Sequence, residues 1–345
     1  MLTCTWAPTV FQGHRLVRTD APLPATVIPA GDDVHRIAAR LVHQYEELGI
    51  SHLLIAQRWW GSGEEIEASS LDCLAMTSFF ASETERIHLV TAIHPGFLQP
   101  TAIAKWGATV DLLSGGRWSI NVTSGWNLRE FDMFGVDALT HDERYRRSAE
   151  FIEVLRGAWC REQLDYEGDY YAANGLRLEP RPEGALEVFQ GGQSDAAIAM
   201  AARHSDWMFL NGGSRERVGR IVRRARAAAE SEGRRLRFAL YAAPLCRPTD
   251  EEAWEEIDRR LGRLDPDLVE KRRATVAGAE GMWSDDEDPL SPLDTNEGYA
   301  SRLIGSPETI LGRVEAWREL GIGMLHLDLR DELFCREVLP AVHAL

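Results

Sequence analysis

The densest run of side chains able to do chemistry is Ser119-Ile-Asn121-Val-Thr123-Ser124-Gly125-Trp126-Asn127-Leu-Arg129-Glu130-Phe131. An apolar, β-rich run gives way there to amides, hydroxyls, an indole and charges. That mixture suits the mouth of a catalytic cleft and would be costly inside a core. If Asn121 points inward, it offers both donors and an acceptor to a planar polar ligand. A polar surface loop is the plainer alternative. A second run, Phe189-Gln190-Gly191-Gly192-Gln193-Ser194-Asp195, reads as a strand, a glycine pair and a helix start. Free N–H groups at such a start, capped by Ser194 or Asp195, form an anion site that the glycines let a phosphate approach. A structural N-cap alone explains the same residues. The stretch His141-Asp-Glu-Arg144-Tyr145-Arg146-Arg147-Ser148 could bring a guanidinium and a phenol to that anion, or could simply be a solvated helix face.

Two further strand ends carry polar groups. His94 stands before a Pro95-Gly96 turn, where it is either a working imidazole or a structural one. Gln57-Arg58-Trp59-Trp60 supplies an amide, a charge and two aromatics suited to the edge of a flat heterocycle. There is no metal-ligand spacing, no Gly-x-Ser-x-Gly elbow and no Walker loop, so hydrolase and kinase chemistry lack support.

These residues need elements to hold them. Short apolar runs recur at Leu2–Ala7, His52–Ala56, Ile87–Thr91, Trp118–Val122, Val188–Gln190, Trp207–Leu210, Leu236–Leu245 and Met324–Leu329. Helical periodicity lies between most of them, at Val34–Leu48, Leu71–Ser82, Thr101–Leu113, Ala196–His204, Val218–Glu232 and Glu308–Leu320. Several helices end at a glycine just before the next strand, namely Gly49, Gly115, Gly233 and Gly321. Eight strands alternating with helices predict an α/β fold, a (β/α)8 TIM barrel forming one domain over residues 1–345. A doubly wound open sheet is the alternative. Two insertions interrupt the alternation on the catalytic face. One runs from about 125 to 169 and reads as a loop and one long helix without a strand. The other, about 264–298, contains Asp285-Asp286-Glu287-Asp288-Pro289 and is either a lid or an irregular excursion.

Acidic residues outnumber basic ones 54 to 38 in the 345-residue chain, for a net charge of −16. With no basic run to offset it, nucleic acid and anionic membranes are unfavourable partners, and a small molecule is the expected one. Lysine occurs only at 105 and 271, which leaves no cluster for Schiff-base chemistry. The five cysteines are scattered and never form a CxxC pair, so neither zinc nor any other metal site is expected. Residues 1–13 lack the pattern of a signal peptide and no run approaches eighteen apolar residues, so a cytoplasmic enzyme is expected.

Taken in order, several stretches together resemble the bacterial-luciferase-like flavin monooxygenases. They are Gln99-Pro100-Thr-Ala-Ile-Ala-Lys105, Asp111 to Arg117, Asn121-Val-Thr-Ser-Gly125-Trp126 with Glu130-Phe131, His141 to Ser148, Phe189 to Asp195 and Leu303-Ile-Gly-Ser-Pro307. The likeness spans about Leu48 to Leu339. It lies in the branch of dimethylsulfone, alkanesulfonate and pyrimidine monooxygenases, nearest the first. The resemblance implies a barrel that binds reduced FMN from a separate NAD(P)H:flavin reductase and uses O2 to insert one oxygen into a small organic substrate. Carried over by position, Gln57 and Arg58 would lie at the flavin ring, and Asn121 and Glu130 would contact or shape its site. Arg144, Tyr145, Gly192, Gln193 and Ser194 would hold the phosphate. His94, Trp126 and Asn121 are the expected catalytic residues, excluding water and steadying negative charge on oxygen.

Two departures bear on the substrate. Where the alkanesulfonate enzymes carry an Arg-x-His pair, this chain reads Tyr241-Ala242-Ala243, and after the last strand a short Asp328-Leu-Arg330-Asp331-Glu332 replaces a longer loop. A sulfonate is therefore disfavoured. Tyr241, Trp59 and Arg330 are expected to line a remodelled substrate pocket for a sulfone-like molecule or a biosynthetic intermediate. A deazaflavin-dependent oxidoreductase of the same barrel superfamily and a non-catalytic flavin-binding protein are the competing readings. A homodimer or homotetramer is expected through the side bearing Leu71, Leu74, Ile103 and Trp106.

Overall fold

The computed structural model describes residues 1–9, 16–17, 33–59, 70–182, 184, 186–276 and 288–345. Its first half alternates β1 (Leu2–Trp6), α1 (Val34–Glu47), β2 (His52–Ile55), α2 (Cys73–Glu83), β3 (His88–Ile93), α3 (Pro100–Ser114) and β4 (Trp118–Val122). Then come α4 (Leu128–Met133), α5 (His141–Cys160), β5 (Leu164–Glu167), β6 (Ala172–Leu176), β7 (Val188–Gly191), α6 (Asp195–His204), β8 (Trp207–Leu210), α7 (Arg215–Ser231) and β9 (Arg237–Ala242). The last third holds β10 (Leu245–Cys246), α8 (Asp250–Leu261), α9 (Pro266–Val276), β11 (Ile304–Gly305), α10 (Pro307–Leu320), β12 (Ile322–Leu327) and α11 (Leu339–Ala344).

Eight of these strands close a parallel barrel in the order β1-β12-β9-β8-β7-β4-β3-β2. The seam runs Leu2↔Met324 to Thr5↔Leu327, and this closure decides against an open sheet. Local chemistry sets the helix limits. Asp72, Ser194, Ser214, Thr249 and Ser306 each accept a backbone N–H from the first turn of the helix that follows. The helices α3 and α10 end on Gly115 and Gly321 at φ 69° and 98°, a conformation that side chains with a Cβ resist.

Alternation along each strand divides the apolar residues between two cores. Outward-facing residues pack under the helices, while Cys4, Leu54, Val90, Phe189, Trp207, Phe209, Ala239 and Met324 fill the bore. A polar layer also sits among the strands, where His88 Nε2 lies 2.6 Å from Ser119 Oγ and the His52 and His88 rings are 5.2 Å apart.

Three expectations need correction. The first insertion does contain strands, because β5 and β6 form an antiparallel hairpin. Glu150 on α5 secures it by accepting the backbone N–H groups of Asp169, Tyr170 and Tyr171 at 2.9–3.2 Å. The run Leu236–Leu245 is not one strand: Pro244 has no N–H to give the ladder, so β9 stops at Ala242 and Leu245 instead donates to Leu303 O. Ile103 is core rather than a docking surface, since it is buried beneath α3, while Leu71, Leu74 and Trp106 are half-buried against the core.

In the second insertion, residues 277–287 lie outside the described residues, and with them Asp285, Asp286 and Glu287. The flanks are ordered helices and turns. Residues 288–303 are pinned to the barrel by Glu297, whose fully buried carboxylate takes Arg217 Nη1 at 2.9 Å and Ser291 Oγ at 2.7 Å. Gly212 lies so close to the Glu297 carbonyl that no Cβ would fit there. Removing one member of a buried ion pair strands the other. Glu297→Ala should therefore cost about 3 to 5 kcal/mol in urea unfolding; a midpoint within error of the parent would show that the strap is not held by this pair.

Candidate active site

The C-terminal ends of the barrel strands place their inward residues around one mouth. Gln57 and Arg58 follow β2, His94 follows β3, Asn121 faces inward near the end of β4, Gly191 ends β7 and Gly192 follows it. Trp6, Tyr241 and His326 come from β1, β9 and β12, with ring centroids 4.3–6.3 Å apart. The second insertion reaches across to the first. Arg272 of α9 lies 5.0 Å from the Trp126 ring and Arg58 lies 5.5 Å from it.

Helix α5 supplies the electrostatics. Its N-terminus is set by a reciprocal capping box between Thr140 and Glu143. Arg144 and Arg147 share one face and are only 3% and 6% exposed. Among the described residues neither has a carboxylate partner. Arg144 Nη1 donates to Leu139 O at 2.7 Å, but its Nε and the Nε and Nη2 of Arg147 meet no acceptor. Burial draws both guanidinium pKa values down. The missing Cβ of Gly96 makes room for Arg147: a Cβ there would stand 2.5 Å from its Cζ. The next turn of α5 is tied to β4's loop by Ser148 Oγ, 2.9 Å from Ser124 Oγ. Tyr145 points to the β7 end, its hydroxyl 2.6 Å from where a Cβ on Gly192 would stand. Two buried cations without acids are a standing cost that an incoming anion would offset.

The other predicted residues divide into those that face the mouth and those that hold its walls. Asn121 Oδ1 is buried without a partner while its Nδ2 reaches Thr123 Oγ1 at 3.4 Å. His94 is buried with Nδ1 unpartnered, its ring edge-on to Trp59. Trp59 in turn stacks on Phe97 at 4.6 Å and forms an aromatic wall. Glu130 Oε1 accepts the Trp59 N–H at 3.1 Å, which ties the β2 loop to α4. Gln57 spends both amide ends on the scaffold, accepting from Cys73 N and donating to Arg58 O. Ser194 Oγ caps α6 at Ala197 N, with Gln193 in the same turn. Arg330, half-exposed on the rim, is clamped by Asp328 through its Nε at 2.6–2.7 Å and also through Nη2. Trp60 lies outside the described residues.

Sequence reasoning missed Arg147 as a site residue, and missed Trp6 and His326 altogether. Period-two alternation could have found His326, since Met324 faces the bore and residue 326 must then face the mouth. Arg147 follows Arg144 at the i+3 spacing that shares a helix face.

A model of the luciferase-like monooxygenase family matches residues 15–323. The chain is 36% identical over 331 residues to an FMNH(2)-dependent dimethylsulfone monooxygenase of Pseudomonas fluorescens (strain Pf0-1), covering 91% of this chain and 88% of that one. It is 28% identical to pyrimidine monooxygenase RutA of Enterobacter sp. (strain 638), over 84% and 81% of the two chains. The crystal structure of the long-chain alkane monooxygenase LadA superposes with a TM-score of 0.77 at 19% identity, covering 99% and 91%, a likeness of fold.

Burial also decides the charge of the imidazoles. It pushes His52, His94 and His326 down to about 3 and His88 to about 4, with Arg58 adding to the effect at His94. Unfolded histidine takes a proton near 6.5, so between about 6.5 and 4 only the unfolded chain gains protons. The stability from these four neutral rings is thus complete above about pH 6.5 and lost as pH falls, each ring contributing up to about 1.4 kcal/mol per pH unit. Urea midpoints should drop steadily between about pH 7 and about pH 5, and a flat profile would mean that the rings are not held neutral.

Proposed function

The chain belongs to the luciferase-like monooxygenase family and is a flavin-dependent monooxygenase; we propose that it is the oxygenase of a two-component system. It takes reduced FMN from a separate NAD(P)H:flavin reductase and uses O2 to place one oxygen in a small organic substrate. The observation that carries this reading is the pair of acid-free, buried guanidiniums on α5, Arg144 and Arg147. They fit a phosphate, with the Tyr145 hydroxyl and the Gly192–Ser194 turn beside them. On β4, the orphaned Asn121 Oδ1 fits an N–H of a flat heterocycle.

Reduced FMN, when bound, supplies the electrons that activate O2. The protein's part is to bind, orient and dry the site. Trp59, Phe97 and Trp126 exclude water, and Glu130 holds the Trp59 loop in place. His94, kept neutral by burial, serves as a hydrogen-bonding group that carries no charge into the pocket. A sulfone-like molecule or a biosynthetic intermediate is the substrate this reading favours. It has the enzyme working in the cytoplasm, as a homodimer or homotetramer, with barrel and insertions forming one domain.

Rapid mixing of the FMNH2-loaded protein with O2 tests the reading: oxidation should follow a time course and transient spectrum unlike those of free reduced flavin. Indistinguishable traces, or preferential binding of a deazaflavin, would overturn it. The phosphate assignment has its own check. Arg147→Ala, and separately Tyr145→Phe with Ser194→Ala, should each weaken reduced-FMN binding by about 1 to 3 kcal/mol, whereas affinity equal to the parent in both titrations would dismiss it.

A further inference from the structure

The arginines around the mouth differ in how they are partnered. On α5, Arg144 and Arg147 are buried with no acid. On the side formed by β9, β12 and the second insertion, five arginines are matched by acids, Arg217 by Glu297, Arg260 by Glu256, Arg302 by Asp288, Arg247 by Asp331 and Arg330 by Asp328, while Arg272 donates to Thr295 O and lies over the Trp126 ring. The closest match is Arg330, held through Nε and Nη2 by both oxygens of Asp328. Arg330 is also the cation placed to act on Tyr241 and Tyr299, whose phenols feel its charge.

Beside this pair stands a polar wall with bonding capacity to spare. His326 is 3% exposed, packed among Trp6, Phe209 and Tyr241, and its Nε2 has no partner. Among the described residues the Tyr241 hydroxyl has no hydrogen-bond partner, and burial together with the neighbouring Asp294 and Asp328 charges holds it protonated as a donor. Asp294 itself accepts the N–H groups of Asn296 and Gly298 at 2.8 and 3.0 Å through Oδ1, and that of Tyr299 at 3.4 Å through Oδ2.

We propose that Asp328 sets which substrates the barrel admits. By clamping Arg330 it occupies the cation whose charge reaches Tyr241, so the wall selects neutral molecules whose oxygen can meet the Tyr241 hydroxyl and His326, and turns away sulfonates and carboxylates. This rests on the monooxygenase reading above and assigns the substrate side of that same mouth. Releasing Arg330 should reverse the selection, because an unclamped guanidinium offers a sulfonate two parallel N–H donors.

The test compares dimethyl sulfone with methanesulfonate as probes of the reduced-FMN-loaded enzyme, read by equilibrium binding and by oxygenated product. The parent should prefer the sulfone. In Asp328→Asn, and in Asp328→Ser should that variant fold better, methanesulfonate binding should tighten about tenfold or more. The gain should vanish when Arg330→Met is added. Equal handling of both probes by the parent, an unaltered methanesulfonate affinity in both folded Asp328 variants, or a gain that survives loss of Arg330 would each overturn the proposal. Flavin oxidation by the parent separates the two readings. If it matches free flavin, the proposed function fails; if it is distinctive and the probe ratios do not move, only the role of Asp328 fails.

Discussion

Placing a guanidinium where no acid can meet it costs several kcal/mol, and α5 does this twice within a single turn. The surrounding structure is arranged to hold those two charges in place. Glycine at 96 leaves space for Arg147, the Ser124–Ser148 contact fixes the helix against β4, and the Glu150-bound hairpin braces its far side. The capping box at Thr140 and Glu143 sets where the helix begins and so which residues face the mouth.

A net charge of −16 would make an open anion site ineffective. The molecule resolves this by location rather than by balance. Many of its arginines pair with neighbouring acids at the surface, while Arg144 and Arg147 are buried with no salt-bridge partner among the described residues. Local field and overall charge can then have opposite signs without conflict.

How much of this was legible depended on the range of the physics involved. The barrel strands and covering helices follow from periodicity and glycine stops, which are local; Asn121 and His94 stand out because polar groups end apolar runs, and Arg144 because it lies in the charged stretch His141–Ser148. The β5–β6 hairpin was hidden because the alternation of Leu164-Asp-Tyr-Glu runs for only four residues and the hairpin depends on Glu150, which lies on the preceding helix. Likewise nothing near Gln57 announces that both its amide ends bond within the scaffold, since one partner, Cys73 N, lies beyond the following loop. The matching of Arg330 by Asp328 could be read as a possibility from their spacing, but not as a geometry. Which charges are matched is a property of the folded surface, and that is where the sequence reading stopped.

Trp126 is where the two insertions meet, under Arg58 from the loop after β2 and Arg272 from α9. Arg58 and Trp126 leave the ribosome early, and Arg272 emerges only after most of the chain has been made. A nascent chain can assemble the strand and helix layers from β1 through β8 and still have an unfinished mouth. Completion of the mouth is thereby tied to near-completion of synthesis, so a truncated product ending before α9 lacks the cover over Trp126.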